Sequence, residues 1–269
     1  MTINTKFEKD ILVCRPSFYG VEYEINPWMH LNTKVNRNKA IEQWNNLCDR
    51  LKEYGAKLHN IRPQEGLPDM VFTANGGLYL EDQNMLVLSK FRHEERAKES
   101  WWFHEFFLNR KTKVFITAND FEGAGDALFL GDTLIAGYGF RSDLQAYKEI
   151  RPFLAKDPKI VQLVNPSFYH LDTCFCPLDN HDYMIFPNAF NDDGLAEIRS
   201  LGGNEIVVPE LEAKRFACNA VQLGKFVLLP SDCPETSQKL QNAGYIPIAI
   251  HVSEFIKAGG ACKCLTLVV

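Results

Sequence analysis

Five segments of the chain repeat one form: a polar residue among small neighbours, a short apolar run, a turn, and a second apolar run. They read Asn75-Gly-Gly-Leu-Tyr-Leu then Met85-Leu-Val-Leu; Gly125-Asp126-Ala-Leu-Phe-Leu then Thr133-Leu-Ile-Ala; Asp172-Thr-Cys-Phe-Cys-Pro-Leu then Tyr183-Met-Ile-Phe; Cys218-Asn219-Ala-Val-Gln-Leu then Phe226-Val-Leu-Leu; and Cys262-Lys-Cys264-Leu-Thr-Leu-Val-Val at the end. The leaders Asn75, Asp126, Asp172, Asn219 and Cys264 stand 51, 46, 47 and 45 residues apart, the interval of repeat architectures. The paired runs, joined by Glu81-Asp-Gln-Asn, Gly131-Asp or Leu223-Gly-Lys, read as β-hairpins. Helical patterns lie between them at 39–54, 92–108, 143–155, 193–201 and 237–243. The last segment has no second run of its own, and Ile11-Leu-Val-Cys14 supplies one, which closes a ring. The pattern predicts an α/β fold, a five-bladed propeller of ββαβ repeats, in a single domain over 1–269. Each blade would aim its polar leader at one central site.

A formal net charge of −5 and the lack of a Lys/Arg stripe argue against a nucleic-acid partner. No apolar run reaches the length of a membrane span, and the first ten residues have no signal-peptide core. The expected location is cytoplasmic, away from membranes. The eight cysteines then read as free thiols rather than a disulfide framework. Trp101-Trp102-Phe103-His104-Glu-Phe106-Phe107 reads as the buried face of a helix.

Four stretches can carry chemistry. In Ala258-Gly-Gly-Ala-Cys262-Lys-Cys264-Leu-Thr-Leu, the Gly-Gly loop permits close approach to the backbone, and the following strand presents either one reactive thiol or two core cysteines. The Cys-x-Cys spacing is too tight for a usual zinc knuckle, so no metal is expected. In Tyr169-His170-Leu-Asp172, an extended segment would put base and carboxylate on one face. Phe121-Glu122-Gly-Ala-Gly-Asp126 is an acidic loop, either a turn or a ligand site; Leu67-Pro68-Asp69-Met70-Val71-Phe72-Thr73-Ala74-Asn75 joins a turn to a strand. Carboxylates and an aromatic face suit a planar cation, and a cation beside a thiol favours its ionisation.

These residues, with Ile25-Asn26-Pro-Trp-Met29, Ala136-Gly-Tyr-Gly-Phe-Arg141-Ser and Phe216-Ala-Cys-Asn-Ala-Val221, resemble the pentein superfamily of guanidino-modifying enzymes in order from 25 to 267. Within it the chain is most similar to the arginine dihydrolases. The resemblance implies a five-fold pseudosymmetric propeller with its active site in the central channel, no metal or organic cofactor, and arginine or a related guanidine as the small-molecule partner; relatives are often homo-oligomers. Carried over by position, Cys264 attacks the guanidinium carbon and His170 is the acid/base. Glu122 and Asp172 hold the guanidinium nitrogens, and Asp69 and Phe72 line the site. Arg141 takes the substrate carboxylate, and the carbonyl of Ala258 helps place the cation. Asn75, together with Asn26, marks dihydrolases, because an amide in place of a carboxylate tolerates neutral citrulline. Relatives carry a second carboxylate-binding arginine in a Ser-Arg-Phe context. In this chain the stretch is Ser89-Lys90-Phe91, so Lys90 is the expected contact, with charge but no bidentate fork, and Arg92 and Arg96 lie nearby. The competing readings are an arginine deiminase or dimethylargininase stopping at citrulline, and a non-catalytic arginine-binding pentein.

Overall fold

A computed structural model describes residues 9–269. The chain is built as five three-stranded sheets, and each takes its strands in the same way. In the first complete blade β3 (Gly77–Leu80) pairs antiparallel with β4 (Met85–Leu88), and β4 pairs parallel with β5 (Lys113–Ile116) after a helical crossover. The next blades repeat this with β6 (Ala127–Leu130), β7 (Thr133–Tyr138) and β8 (Lys159–Gln162); β9 (Phe175–Pro177), β10 (Tyr183–Ile185) and β11 (Glu205–Val207); and β12 (Val221–Leu223), β13 (Phe226–Pro230) and β14 (Ile246–Ile250). The fifth blade is assembled from both ends of the chain. β15 (Leu267–Val268) pairs antiparallel with β1 (Lys9–Cys14), Ile11 opposite Val268 and Leu12 opposite Leu267, and β1 runs parallel to β2 (Ala56–Ile61). The predicted ββαβ propeller and its closure are therefore what the chain adopts.

The central strands are short apolar runs because both of their faces are covered. All four residues of β4 are buried, as are the last four of β1. Helices lie outside, each with one apolar stripe inward: Ala40, Trp44, Leu47, Cys48 and Leu51 of the helix Arg37–Glu53 face the core, and the Asn36 side chain caps its start.

The helices differ from their sequence patterns at the ends. The helix Leu144–Ile150 stops where Pro152 enters the next turn, whereas Pro234 opens a helix, Pro234–Asn242, three residues earlier than its apolar pattern begins. The segment 92–108 divides into Glu94–Ala97 and Glu99–Asn109. Of its aromatic run, Phe103 and Phe107 are buried, but Trp101 and Trp102 are 60% and 38% exposed, so only part of that run is core. All eight cysteines are free and buried.

Closure of the ring rests on very little β15. Leu267 is 1% exposed and packs with Leu12 and Leu86, whereas Val268 is 43% exposed. Leu267→Ala is expected to cost about 2–5 kcal/mol through the cavity it leaves, and Val268→Ala about 0.5 kcal/mol or less. Urea denaturation midpoints at unchanged slope check the contrast.

Candidate active site

Each blade enters its first strand through a tight turn: Thr73–Gly76, Gly123–Gly125 and Leu171–Thr173 are 3-10 turns, and 216–219 and 262–265 are turns ahead of β12 and β15. Cys264 thus sits in a turn and not on the strand expected for it. These turns carry the polar leaders, and they pack against one another at one end of the ring.

Asn219 organises the turn that carries Cys264. Its Oδ1 accepts from the backbone N of Ala261 and of Cys264, both at 3.1 Å, and its Nδ2 donates to the Cys264 Sγ at 3.0 Å and to the Asp172 carbonyl at 3.0 Å. The Cys264 thiol in turn donates to Asp172 Oδ2 at 3.2 Å. His170 is extended and Asp172 lies on the following 3-10 turn, so the two diverge rather than share a face. His170 Nε2 meets Glu122 Oε2 at 2.8 Å, while Asp172 reaches the thiol. Glu122 also takes Arg141 Nη1 at 3.0 Å and the Arg92 backbone N–H at 3.2 Å. Arg141 reaches Ile25 O and lies 4.6 Å over the Tyr169 ring.

The segment joining β1 to the first helix crosses this end of the ring. It is tied down by Tyr19 to the Glu254 carbonyl, Asn26 Nδ2 to the Ala258 carbonyl at 3.1 Å, and Trp28 Nε1 to the Ser167 carbonyl. Phe72 stands edge-on to Tyr19 and lies where a Cβ on Gly260 would be, 2.4 Å away, which explains the glycine.

Among the buried carboxylates at this end, Glu122, Asp172 and Asp69 are treated differently. Burial opposes ionisation of Glu122, but Arg141 and His170 outweigh it and hold its carboxyl well below the usual range. Burial raises Asp172, partly offset by His170 and Lys263, and it raises Asp69, partly offset by Arg96. Asp69 Oδ1 and Asp172 Oδ1 are sealed from solvent without a hydrogen-bond partner among the described residues. Buried acceptors left open in this way are what a cationic ligand with N–H donors would satisfy. Burial, then the Asp172 carboxylate, pushes the Cys264 thiol well above its ordinary value, so the thiol is protonated in the free protein.

Lys90 does not join this group. It is exposed, and its ammonium donates to the Ala118 carbonyl. The buried cation is Arg96, 3% exposed, bidentate to Glu99 at 2.9 and 2.7 Å, with Nη1 on Asn75 Oδ1 at 2.9 Å and Nη2 on the Asp69 carbonyl at 3.1 Å. The opposite end of Asn75, Nδ2, faces the Glu122 carbonyl at 3.5 Å. Arg96 only donates and a carbonyl only accepts, so the amide has one orientation. A cavity of about 750 Å³ lies elsewhere, lined by Leu78, Leu128, Phe153, Cys176 and Lys263 among others, and is not lined by Cys264, His170 or Glu122.

A family model described as N,N dimethylarginine dimethylhydrolase, eukaryotic, matches residues 22–269. The chain belongs to the dimethylarginine dimethylhydrolase family. A bifunctional arginine dihydrolase/ornithine cyclodeaminase of Nostoc sp. is 43% identical over 95% of the chain, which spans 37% of that longer protein. A dimethylarginine dimethylaminohydrolase of Mycobacterium tuberculosis is 38% identical over 94% of the chain and 83% of its own length. Among solved structures, the substrate-bound N-terminal domain of ArgZ, an arginine dihydrolase of cyanobacteria, superposes with a TM-score of 0.93 at 41% identity, covering 97% of this chain and 98% of that one. The family match thus takes in every strand of the ring except β1.

A Cβ on Gly125 would fall 2.2 Å from Asn75 Nδ2, so Gly125→Ala is expected to displace the amide and lower turnover on the order of a hundredfold, with little change in thermal midpoint. The raised Asp69 and Asp172 stay protonated to higher pH when folded than when unfolded. Their contribution to stability is therefore present below the ordinary carboxylate range and is lost as pH rises through their raised values. A bound guanidinium pairs with the ionised forms and offsets that loss. L-arginine added to Cys264→Ser should raise the thermal midpoint more at pH 8 than at pH 5; equal shifts would remove these two carboxylates from the binding site.

Proposed function

We propose that the chain is an arginine dihydrolase, a single catalytic domain that hydrolyses L-arginine to ornithine, two ammonia and CO2. The observation that carries this reading is the thiol of Cys264 against Asp172, one of whose oxygens is buried and open, with the His170–Glu122 pair beside them. A guanidinium held by Asp172 and Asp69 brings a positive charge to the thiol and favours the thiolate that burial suppresses. Its sulfur bonds to the guanidinium carbon. His170, oriented by Glu122, gives a proton to the departing ammonia and then takes one from the water that releases citrulline. Arg141, held over the Tyr169 ring, is the buried guanidinium that takes the amino-acid end, while Arg96 is already held by Glu99, Asn75 and the Asp69 carbonyl. Glu122, both of whose oxygens already have partners, acts through His170 more than on substrate nitrogen.

Asn75 favours the second round. Its amide is pinned with Nδ2 toward the Glu122 carbonyl and the space beside Gly125. A carboxylate in its place would set oxygen against that carbonyl, a repulsion best relieved by a cation. The amide removes that demand, so neutral citrulline can stay for a second thiolate attack. The Asn75→Asp variant is thereby expected to favour guanidinium substrates and to release product at citrulline.

Purified protein is incubated with L-arginine and, separately, L-citrulline, and ornithine, citrulline and ammonia are quantified. Ornithine with two ammonia per arginine is expected, lowered on the order of a thousandfold or more in Cys264→Ser. Asn75→Asp should accumulate citrulline. Citrulline alone from the unaltered chain would make it a deiminase and leave Asn75 with no part in a second round.

A further inference from the structure

The acid/base pair joins residues 48 positions apart, Glu122 and His170, and no covalent path fixes their separation. A short hydrogen-bonded chain does. The Glu122 backbone N–H donates to Ser142 Oγ at 2.9 Å, Ser142 Oγ donates to Asp126 Oδ2 at 2.7 Å, and Asp126 Oδ1 accepts the backbone N–H of Leu171, the residue after His170, at 3.1 Å. Ser142 N adds a second bond to Asp126 Oδ2 at 3.0 Å. Asp126 itself is held by its carbonyl, which accepts from Tyr147 Oη at 3.0 Å and Gly137 N at 2.8 Å. Asp126, Ser142 and Leu171 are 1%, 3% and 0% exposed, so water does not substitute for any of these bonds. The repeat pattern predicts that Asp126 points at the central site; it grips backbone instead.

We propose that Asp126 and Ser142 are positioning residues that set Glu122 against His170, and that this relay holds in one polarity, with Asp126 ionised. The proposal rests on the catalytic reading of His170 and Glu122 above. Everything facing the Asp126 carboxylate donates: two backbone N–H groups and one hydroxyl. Because the hydroxyl hydrogen points to Asp126, the Ser142 oxygen is free to accept from Glu122. A proton on Asp126 Oδ2 would make Asp126 the donor to Ser142 Oγ, turn the hydroxyl hydrogen away from it and leave the oxygen a weaker acceptor for the Glu122 N–H. Burial moves Asp126 up to about 6, with His170 and Ser142 opposing the rise and Glu122 adding to it. The other titratable groups coupled to it are the Tyr147 phenol on the helix Leu144–Ile150 and the Cys174 thiol before β9. As pH falls through about 6 the relay therefore reverses and turnover drops.

The test uses Ser142→Ala, Asp126→Asn and the double variant of the full chain. Turnover is followed from pH 4.5 to 9, and the proton on the His170 ring nitrogen facing Glu122 is followed by proton NMR without substrate, identified by its loss in His170→Ala. Each single variant is expected to lower kcat about ten- to a hundredfold with KM within about threefold. Each should also abolish the fall in turnover near pH 6 and move or broaden the His170 resonance. In the double variant the losses should fall well short of their product. An unchanged acid limb together with an unshifted His170 resonance in Ser142→Ala would overturn the proposal, as would independent, multiplying losses. If Asp126→Asn does not fold, Ser142→Ala, which removes one oxygen, decides alone. If the unaltered chain turns over no guanidine, the resonance still tests the relay while the catalytic reading falls.

Discussion

The pairing of β15 with β1 is the constraint on which the rest of the molecule depends. Two residues near the C-terminus complete a sheet begun near the N-terminus, and Cys264 lies three residues ahead of that pairing. In the closed ring the Cys264 turn comes against Asn219 and Asp172, which belong to two other blades. Contacts of such long sequence separation require the whole chain to be ordered before they repay their loop-closure entropy. Site assembly and ring closure are thus one event.

Around that turn, charge is arranged as alternating pairs. Glu99 holds Arg96, and Glu122 holds Arg141 and His170. Removing either partner of such a buried pair would strand the other in a low dielectric. Asn75 sits between the two groups, bonded to Arg96 on one side and facing the Glu122 carbonyl on the other. It links them without adding charge, while Asp69 and Asp172 each keep one buried oxygen with no hydrogen-bond partner among the described residues.

The architecture was legible in the sequence because it is local. Four of the blades begin with a hairpin and its own turn, and five leaders at near-equal spacing betray the repeat. Cys264, His170, Glu122, Asp172, Asp69, Asn75, Phe72 and Arg141 do gather at one end. Their partnerships were not legible, since they join separate blades: nothing in Glu122-Gly-Ala-Gly-Asp126 tells that the first carboxylate meets His170 while the second holds a neighbouring backbone. Lys90 stands in the Ser-Lys-Phe context that points to it, but the chain turns inward only after it, through Glu94–Ala97. The signal for the buried cation is instead Arg96 with Glu99 three residues on, a helical spacing at which opposite charges meet. Asn219 reads as a repeat leader, but its three hydrogen bonds to the Cys264 turn and one to the Asp172 carbonyl cross between blades, which no local pattern encodes.

The buried, protonated thiol has a consequence for survival of the protein in a reactive environment. Oxidants and electrophiles attack thiolates, and low-charge, enclosed thiols resist them. Cys264 is 2% exposed and lies beside a carboxylate that disfavours its anion, so at rest it is chemically as quiet as the seven cysteines of the core. A positive charge brought beside Asp172 would shift that balance toward the thiolate, so the resistance of the thiol to oxidants depends on whether the site is filled.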